Sequence, residues 1–157
     1  MKRNVYLDGI FGLVVGDALG VPVEFELREQ LRTNPVINMR EYGSYNLPRG
    51  TWSDDSSMTL ATLDSLINGY NLEDIMDRFV IWMLEAEYTA IGKNFDMGFI
   101  TGTAINKYLL TCDLEICGSE YESSNGNGSL MRILPICLYL LKKGKISLSH
   151  FYYSKAI

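Results

Sequence analysis

The stretch Arg49-Gly50-Thr51-Trp52-Ser53-Asp54-Asp55-Ser56-Ser57-Met58-Thr59-Leu60 concentrates chemistry that the rest of the chain lacks. Two adjacent carboxylates, Asp54 and Asp55, follow a hydroxyl, Ser53, where a glycine-containing loop gives way to a helical pattern. Hard cations such as Mg²⁺ and Mn²⁺ take oxygen ligands, and Ser-Asp-Asp offers several within one turn. A helix start favours the same residues without any ligand, because free backbone N–H groups and the helix dipole attract negative charge there. The wider set makes ligand chemistry worth weighing. Asp17 and Glu24 add carboxylates upstream, and Asn125-Gly126-Asn127-Gly128-Ser129 forms a polar loop with positive-φ capacity and exposed N–H groups. Glycine-rich backbone leading into a helix favours phosphate. One group of residues thus prefers a hard metal and another an anion, and a diphosphate-bearing substrate attacked beside a metal suits both.

The bulk properties exclude several alternatives. The chain has 157 residues, 47% hydrophobic and 21% charged, which fits one ordinary domain or a large part of one. A net charge of −5 and a pI near 4.9, with no basic run longer than Lys142-Lys143, argue against a nucleic-acid surface. Cys112, Cys117 and Cys137 have no metal-knuckle spacing and read as reduced thiols. The single histidine, His150, leaves no Ser-His-Asp triad and no histidine metal site within the chain. No apolar run approaches the length of a membrane span and no signal layout opens the chain, so the expected compartment is the cytoplasm, with no membrane partner.

The residues named so far must be held by helices. Val5 to Leu19 carries a helical apolar pattern, with Gly9, Gly12, Gly16 and Gly20 leaving a bare face for another helix or for a ligand. Asp17 lies near its end, Val21-Pro22 breaks it and Glu24 follows. A short helix is expected near Glu26 to Leu31, then loop up to Gly50. Ser53 caps a helix from Asp54 to Asn68, with Leu60, Ala61, Leu63, Leu66 and Ile67 as its apolar face. Asn71 caps the next, which turns Leu72, Ile75, Met76, Phe79, Val80, Met83 and Leu84 inward and Glu73, Asp74, Asp77, Arg78, Glu85 and Glu87 to solvent. A loop spans 88–98, and a helix runs from Phe99 to Leu110. Ser129 is expected to cap a helix from Leu130 to Lys142 that Pro135 kinks or divides, with Gly144 ending it. Ser147 to Ile157 starts another. No strand alternation persists, so the class is all-α.

Four segments taken in order, Gly16-Asp17-Ala18-Leu19-Gly20-Val21-Pro22-Val23-Glu24, Gly50-Thr51-Trp52-Ser53-Asp54-Asp55-Ser56, Phe95-Asp96-Met97-Gly98 and Ser124-Asn125-Gly126-Asn127-Gly128-Ser129-Leu130-Met131-Arg132, resemble the ADP-ribosylglycohydrolase family, including the dinitrogenase-reductase-activating glycohydrolases. The resemblance implies an orthogonal all-α bundle, with residues 1–157 as the N-terminal portion of one such domain. It implies a metal-dependent hydrolase that cleaves the N- or O-glycosidic bond of ADP-ribose on a protein or related small acceptor. Ser53, Asp54 and Asp55 match ligands of a binuclear Mg²⁺ or Mn²⁺ centre. Glu24 matches the acidic residue that closes the site over the scissile ribose, and it is matched with Asp55 to catalysis. Asp96 and Gly98 match the ribose-pocket loop, and Asn125, Gly126, Asn127, Gly128 and Ser129 the loop along the diphosphate and adenosine.

The chain departs from the family in one respect. A late Asp-x-Asp followed by Thr or Ser normally supplies further metal ligands, and the last aspartate here is Asp113. Weak metal occupancy and little or no hydrolysis by the 157-residue chain are therefore expected, together with association with a second copy or a complementing C-terminal chain. The competing readings are a non-catalytic remnant that binds ADP-ribose or a nucleotide, and the structural half of a split protein.

Overall fold

A computed structural model describes residues 4–145, and among these the chain is helical, with no strand. Helix α1 spans Val5–Gly20 and continues into a 3-10 turn, Val21–Val23; α2 is Arg28–Thr33, α3 Asp54–Leu66, α4 Leu72–Glu85, α5 Phe99–Thr111, α6 Gly128–Met131 and α7 Leu134–Lys142. The all-α reading holds. Pro135 divides the last expected helix in two, because a proline is tolerated only in a first turn, and it sits at the start of α7. The cap expected of Ser129 is not made: α6 begins at Gly128, with Asn127 at its N-cap and no side-chain hydrogen bond. The helix expected from Ser147 onward lies outside the described residues.

Helix α3 is the axis of the fold, packing against α1, α4, α6 and α7. Its core-facing residues are unusual. Ser56, Ser57, Thr59, Thr62 and Ser65 are buried beside Met58, Ala61 and Leu66. Small hydroxyl side chains let neighbours approach closely, and for three of these the desolvation is offset by bonding to nearby backbone, whereas the Ser65 hydroxyl has no hydrogen-bond partner among the described residues. The Ser57 hydroxyl donates to the Ser53 carbonyl at 2.8 Å, that of Thr62 to the Met58 carbonyl at 2.8 Å, and that of Thr59 to the Met131 carbonyl at 3.2 Å. The expected apolar face is therefore only partly right: Ala61 and Leu66 are buried, Leu60 and Leu63 half-buried, and Ile67 is 76% exposed.

The apolar core lies between α3, α4 and α5, formed by Met58, Ala61, Ile75, Phe79, Trp82 and Ile105. Asn71 caps α4 as expected, accepting from the N–H groups of Glu73 and Asp74. Trp82 is buried where Leu84 was expected, and Leu84 is exposed. Of the charges assigned to solvent, Asp74 and Arg78 join Asp64 and Tyr88 in a polar network tying α3 to α4 and the 88–98 loop.

Two readings of α1 change. Val5–Val23 forms a helical run of 19 residues, long and apolar enough by length and composition to cross a membrane, so the expectation that no run approaches a span does not hold. Helix formation through four glycines and on through Val21-Pro22 made the run longer than its breaks implied. The run is engaged by the fold: Ala18 is buried, Asp17 bonds to α3, and α1 packs against α7. The glycine face is mostly open. A Cβ at Gly9 would meet the Leu134 and Leu138 methyls at an ordinary 3.8 Å, whereas at Gly12, Gly16 and Gly20 it would meet nothing within 4 Å. Gly12→Ala is accordingly expected to stabilise the chain by about 0.5–1 kcal/mol through helix propensity, read as a raised midpoint in urea unfolding. A lower midpoint would show that this face is in close contact with something in solution.

Candidate functional site

The site begins at the N-terminus of α3. The Ser53 hydroxyl accepts from the Asp55 N–H at 3.2 Å, so Ser53 caps the helix as its sequence position implies. Asp17, arriving from the end of α1, bonds to the same turn. Its carboxylate accepts from the Ser53 N–H (3.0 Å), the Ser53 hydroxyl (2.8 Å), the Ser56 N–H (3.1 Å) and the Ser56 hydroxyl (2.6 Å). Asp17 is thus the clasp between α1 and α3. Ser53 spends its proton on Asp17 and one lone pair on Asp55, which leaves one lone pair for a ligand.

Asp54 is only 5% exposed, Asp55 is half-buried, and both carboxyls are driven above the usual carboxylate range. For Asp54 the cause is first burial, then the charges of Asp96 and Asp55, with an opposing hydrogen bond from the Gly98 backbone; it is pushed up to about 7. For Asp55 it is burial, then Asp17 and Asp96, reaching about 6. Glu24, half-buried just after the 3-10 turn, is raised by burial and by neighbouring Asp96. Like charges are gathered here with little opposing charge. Arg132 attracts Asp54, but it is half-buried, and this desolvation lowers its own pKa; its guanidinium lies over Phe79, 5.2 Å from the ring centroid.

These groups line one cleft of about 1360 Å³. Its wall includes Asp17, Glu24, Ser53, Asp54, Asp55, Asp96 and Gly98 on the acidic side, and Gly126, Asn127, Gly128 and Ser129 opposite. Asn125 is not among the lining residues; its side-chain amide donates to the Glu122 carbonyl at 2.5 Å. Gly128 is closely approached, since a Cβ there would lie 2.9 Å from the Thr101 hydroxyl. The four-residue α6 that this loop opens carries little dipole, so the loop's capacity for an anion rests on its backbone N–H groups.

A model of the ADP-ribosylglycohydrolase family matches residues 2–149, nearly the whole chain. The chain belongs to the ADP-ribosylglycohydrolase family. Among its relatives, the ADP-ribosylarginine hydrolase of Serratia proteamaculans is 30% identical over 135 residues, which cover 85% of this chain and 36% of that protein. The ADP-ribosyl-[dinitrogen reductase] glycohydrolase of Rhodospirillum rubrum is 31% identical over 139 residues, 86% of this chain and 44% of that one. A solved ADP-ribosylglycohydrolase-related protein complex superposes with a TM-score of 0.64 at 35% identity, covering 85% of this chain and 41% of the other. This family member therefore spans less than half the length of the relatives it matches.

Two residues of the cleft region were not singled out from sequence, and a third was singled out without its partners. Asp17 was grouped with Glu24 among the carboxylates suited to a hard metal, but its bonds to α3 were not visible. Arg132 ended a quoted motif without a role. Tyr45, whose hydroxyl donates to Asp96 at 2.5 Å, lies in a stretch with no periodic signal.

Proposed function

We propose that this chain forms the ribose- and diphosphate-facing part of a hydrolase that releases ADP-ribose from a modified protein side chain or a related small acceptor. The observation that carries the reading is the convergence of Glu24, Ser53, Asp54, Asp55 and Asp96 with the 126–129 loop on one cleft. The loop's backbone N–H groups would run along the diphosphate, and Asp96 and Gly98 would flank the ribose. Water adds at the ribose C1″ as the bond to the acceptor nitrogen or oxygen breaks; the proton that water gives up goes to Asp55, which returns it to the departing acceptor atom. Asp55 lines the cleft beside Ser53 and Asp54, where its carboxylate can take that proton. Glu24 closes over the scissile ribose.

The donors fit a hard divalent cation in kind. Two crowded carboxylates with raised pKa values and a serine lone pair favour Mg²⁺ or Mn²⁺ over softer metals. They fit less well in number: among the described residues no three acidic, histidine or cysteine side chains are grouped as an ion site. Ser53, Asp54 and Asp55 would hold one side of the metal centre. Such a cation would offset the acidic charge and polarise a ribose oxygen.

A second reading, binding of ADP-ribose without turnover, is favoured by that same incomplete donor set. Release of ADP-ribose from ADP-ribosylated arginine or serine decides between them. Metal-dependent release, abolished by EDTA and lowered by about 100-fold or more in Asp55→Ala, supports the hydrolase. ADP-ribose binding without release supports the second reading, and neither binding nor release overturns both. Exposed apolar residues, including Phe11 at 65% and Phe99 at 87%, support association with a second copy or a further helical chain. The three cysteines are free thiols, in keeping with a cytoplasmic protein.

A further inference from the structure

We propose that Tyr45 is a positioning residue of this cleft, carried on a strap over residues 42–47, and that its hydroxyl holds the Asp96 carboxyl beside Glu24, facing the ligand. The proposal rests on the ADP-ribose reading above and names a residue that reading does not use.

The strap is clamped to the segment that carries Glu24. At Gly43 a Cβ would fall 1.7 Å from the Pro22 carbonyl oxygen, so no other residue fits without moving the backbone. The Ser44 N–H donates to that carbonyl at 3.0 Å, and the Ser44 hydroxyl donates to the Glu24 carbonyl at 2.5 Å. The strap closes on itself through Tyr42 N–H to Leu47 carbonyl at 2.7 Å and Asn46 N–H to Gly43 carbonyl at 3.1 Å.

From this anchor the Tyr45 ring reaches between two phenylalanines, with centroids 6.3 Å from Phe25 and 5.1 Å from Phe95. Each phenylalanine is the chain neighbour of a carboxylate: Phe25 follows Glu24, and Phe95 precedes Asp96. The backbone is left-handed at Phe25 (φ 64°) and at Asp96 (φ 60°), a conformation that non-glycine residues keep only when their surroundings enforce it. The Tyr45 ring meets both neighbours at a tilt, the half-buried Phe95 at 5.1 Å and the exposed Phe25 at 6.3 Å.

The hydroxyl then selects the arrangement. A phenol has one proton, and it goes to Asp96 Oδ1 at 2.5 Å, with Glu24 close by. Two neighbouring carboxyls repel when ionised. A neutral donor restrains one of them without cancelling their charge, which a lysine or arginine would do. The remaining oxygens stay free to accept hydrogen bonds from a sugar.

If Tyr45 merely fills a gap, Tyr45→Phe changes nothing beyond packing. The test uses the 157-residue chain with ¹³C-labelled carboxyls, followed by NMR at neutral pH, and calorimetric titration with ADP-ribose in the presence and absence of Mn²⁺. Tyr45→Phe is expected to leave the unfolding midpoint near that of the wild type, to shift the Asp96 and Glu24 carboxyl resonances, and to weaken ADP-ribose binding by about tenfold. Tyr42→Phe, on the same strap but exposed, is the control and should change neither. Unmoved carboxyl resonances with affinity within about twofold of wild type overturn the proposal. If the wild type takes up no ADP-ribose, the functional reading falls, while the resonances still decide the placement of Tyr45. Should Tyr45→Phe fail to fold, Ser44→Ala loosens the strap instead and is expected to move the same two resonances; no movement there also overturns the proposal.

Discussion

Asp17→Ala is expected to cost the fold about 3–5 kcal/mol, lowering the thermal midpoint by roughly 10 °C or more. The reason is the number of donors that converge on one carboxylate. Ser53 and Ser56 are both buried, and each presents a backbone N–H and a hydroxyl to Asp17. Removing the acceptor leaves these groups desolvated with no partner at the free N-terminus of α3, where an anion is also favoured by the helix dipole. Since α3 packs against α1, α4, α6 and α7, loosening its first turn spreads to the core. Asp17→Asn should fall between, because an amide offers one accepting oxygen and places an NH₂ against a donor. Urea unfolding of the three proteins measures this. A loss below about 1 kcal/mol for the alanine variant would mean that Asp17 is dispensable as a clasp and that α3 is held by its apolar contacts alone.

How legible the molecule was in its sequence differed by physical cause. Helices capped by a side chain were placed closely: Ser53 and Asn71 each bond to the N–H groups of the following turn, and that chemistry is local. Long-range satisfaction was not legible. The buried hydroxyl face of α3 reads as polar in sequence, and only folding shows that Asp17, Met131 and the backbone carbonyls of Ser53 and Met58 take up the protons of Ser56, Thr59, Ser57 and Thr62. The same holds for Trp82, buried on α4 outside the expected stripe. Among candidate site residues, the acidic group and the glycine loop announced themselves by residue type and spacing, and they share a cleft, except for Asn125. Tyr45 announced nothing. Its importance comes from a strap closed by backbone contacts to Pro22 and Glu24, which leave no periodic trace.

Stability of the metal-free chain should fall as pH rises, and metal should reverse that trend. In the folded protein Asp54 titrates near 7 and Asp55 near 6, against ordinary values of 3.8. A raised carboxyl pKa means that the folded state holds the proton more tightly than the unfolded one does. The stabilisation from that proton is fully present below about pH 4 and is lost as pH climbs through 6 and 7. The unfolding free energy without metal is therefore expected to drop between pH 5 and pH 8 by an amount on the order of a few kcal/mol, read as a lowered thermal midpoint. A divalent cation competes with the same protons, since it binds the ionised carboxylates. Excess Mn²⁺ should stabilise little at pH 5 and most at pH 8, where a concentration ~100-fold over Kd gives about 2.7 kcal/mol. Overall negative charge also weakens a fold at higher pH, so Asp54→Asn is the needed control. This variant is neutral at every pH and should flatten much of the metal-free decline while losing most of the Mn²⁺ effect. Differential scanning calorimetry with EDTA or Mn²⁺ across this range makes the comparison. A metal-free midpoint that rises between pH 5 and pH 8, or a Mn²⁺ effect equal at both, would remove Asp54 and Asp55 from the proposed metal site. An unchanged response in Asp54→Asn would place the metal elsewhere on the chain.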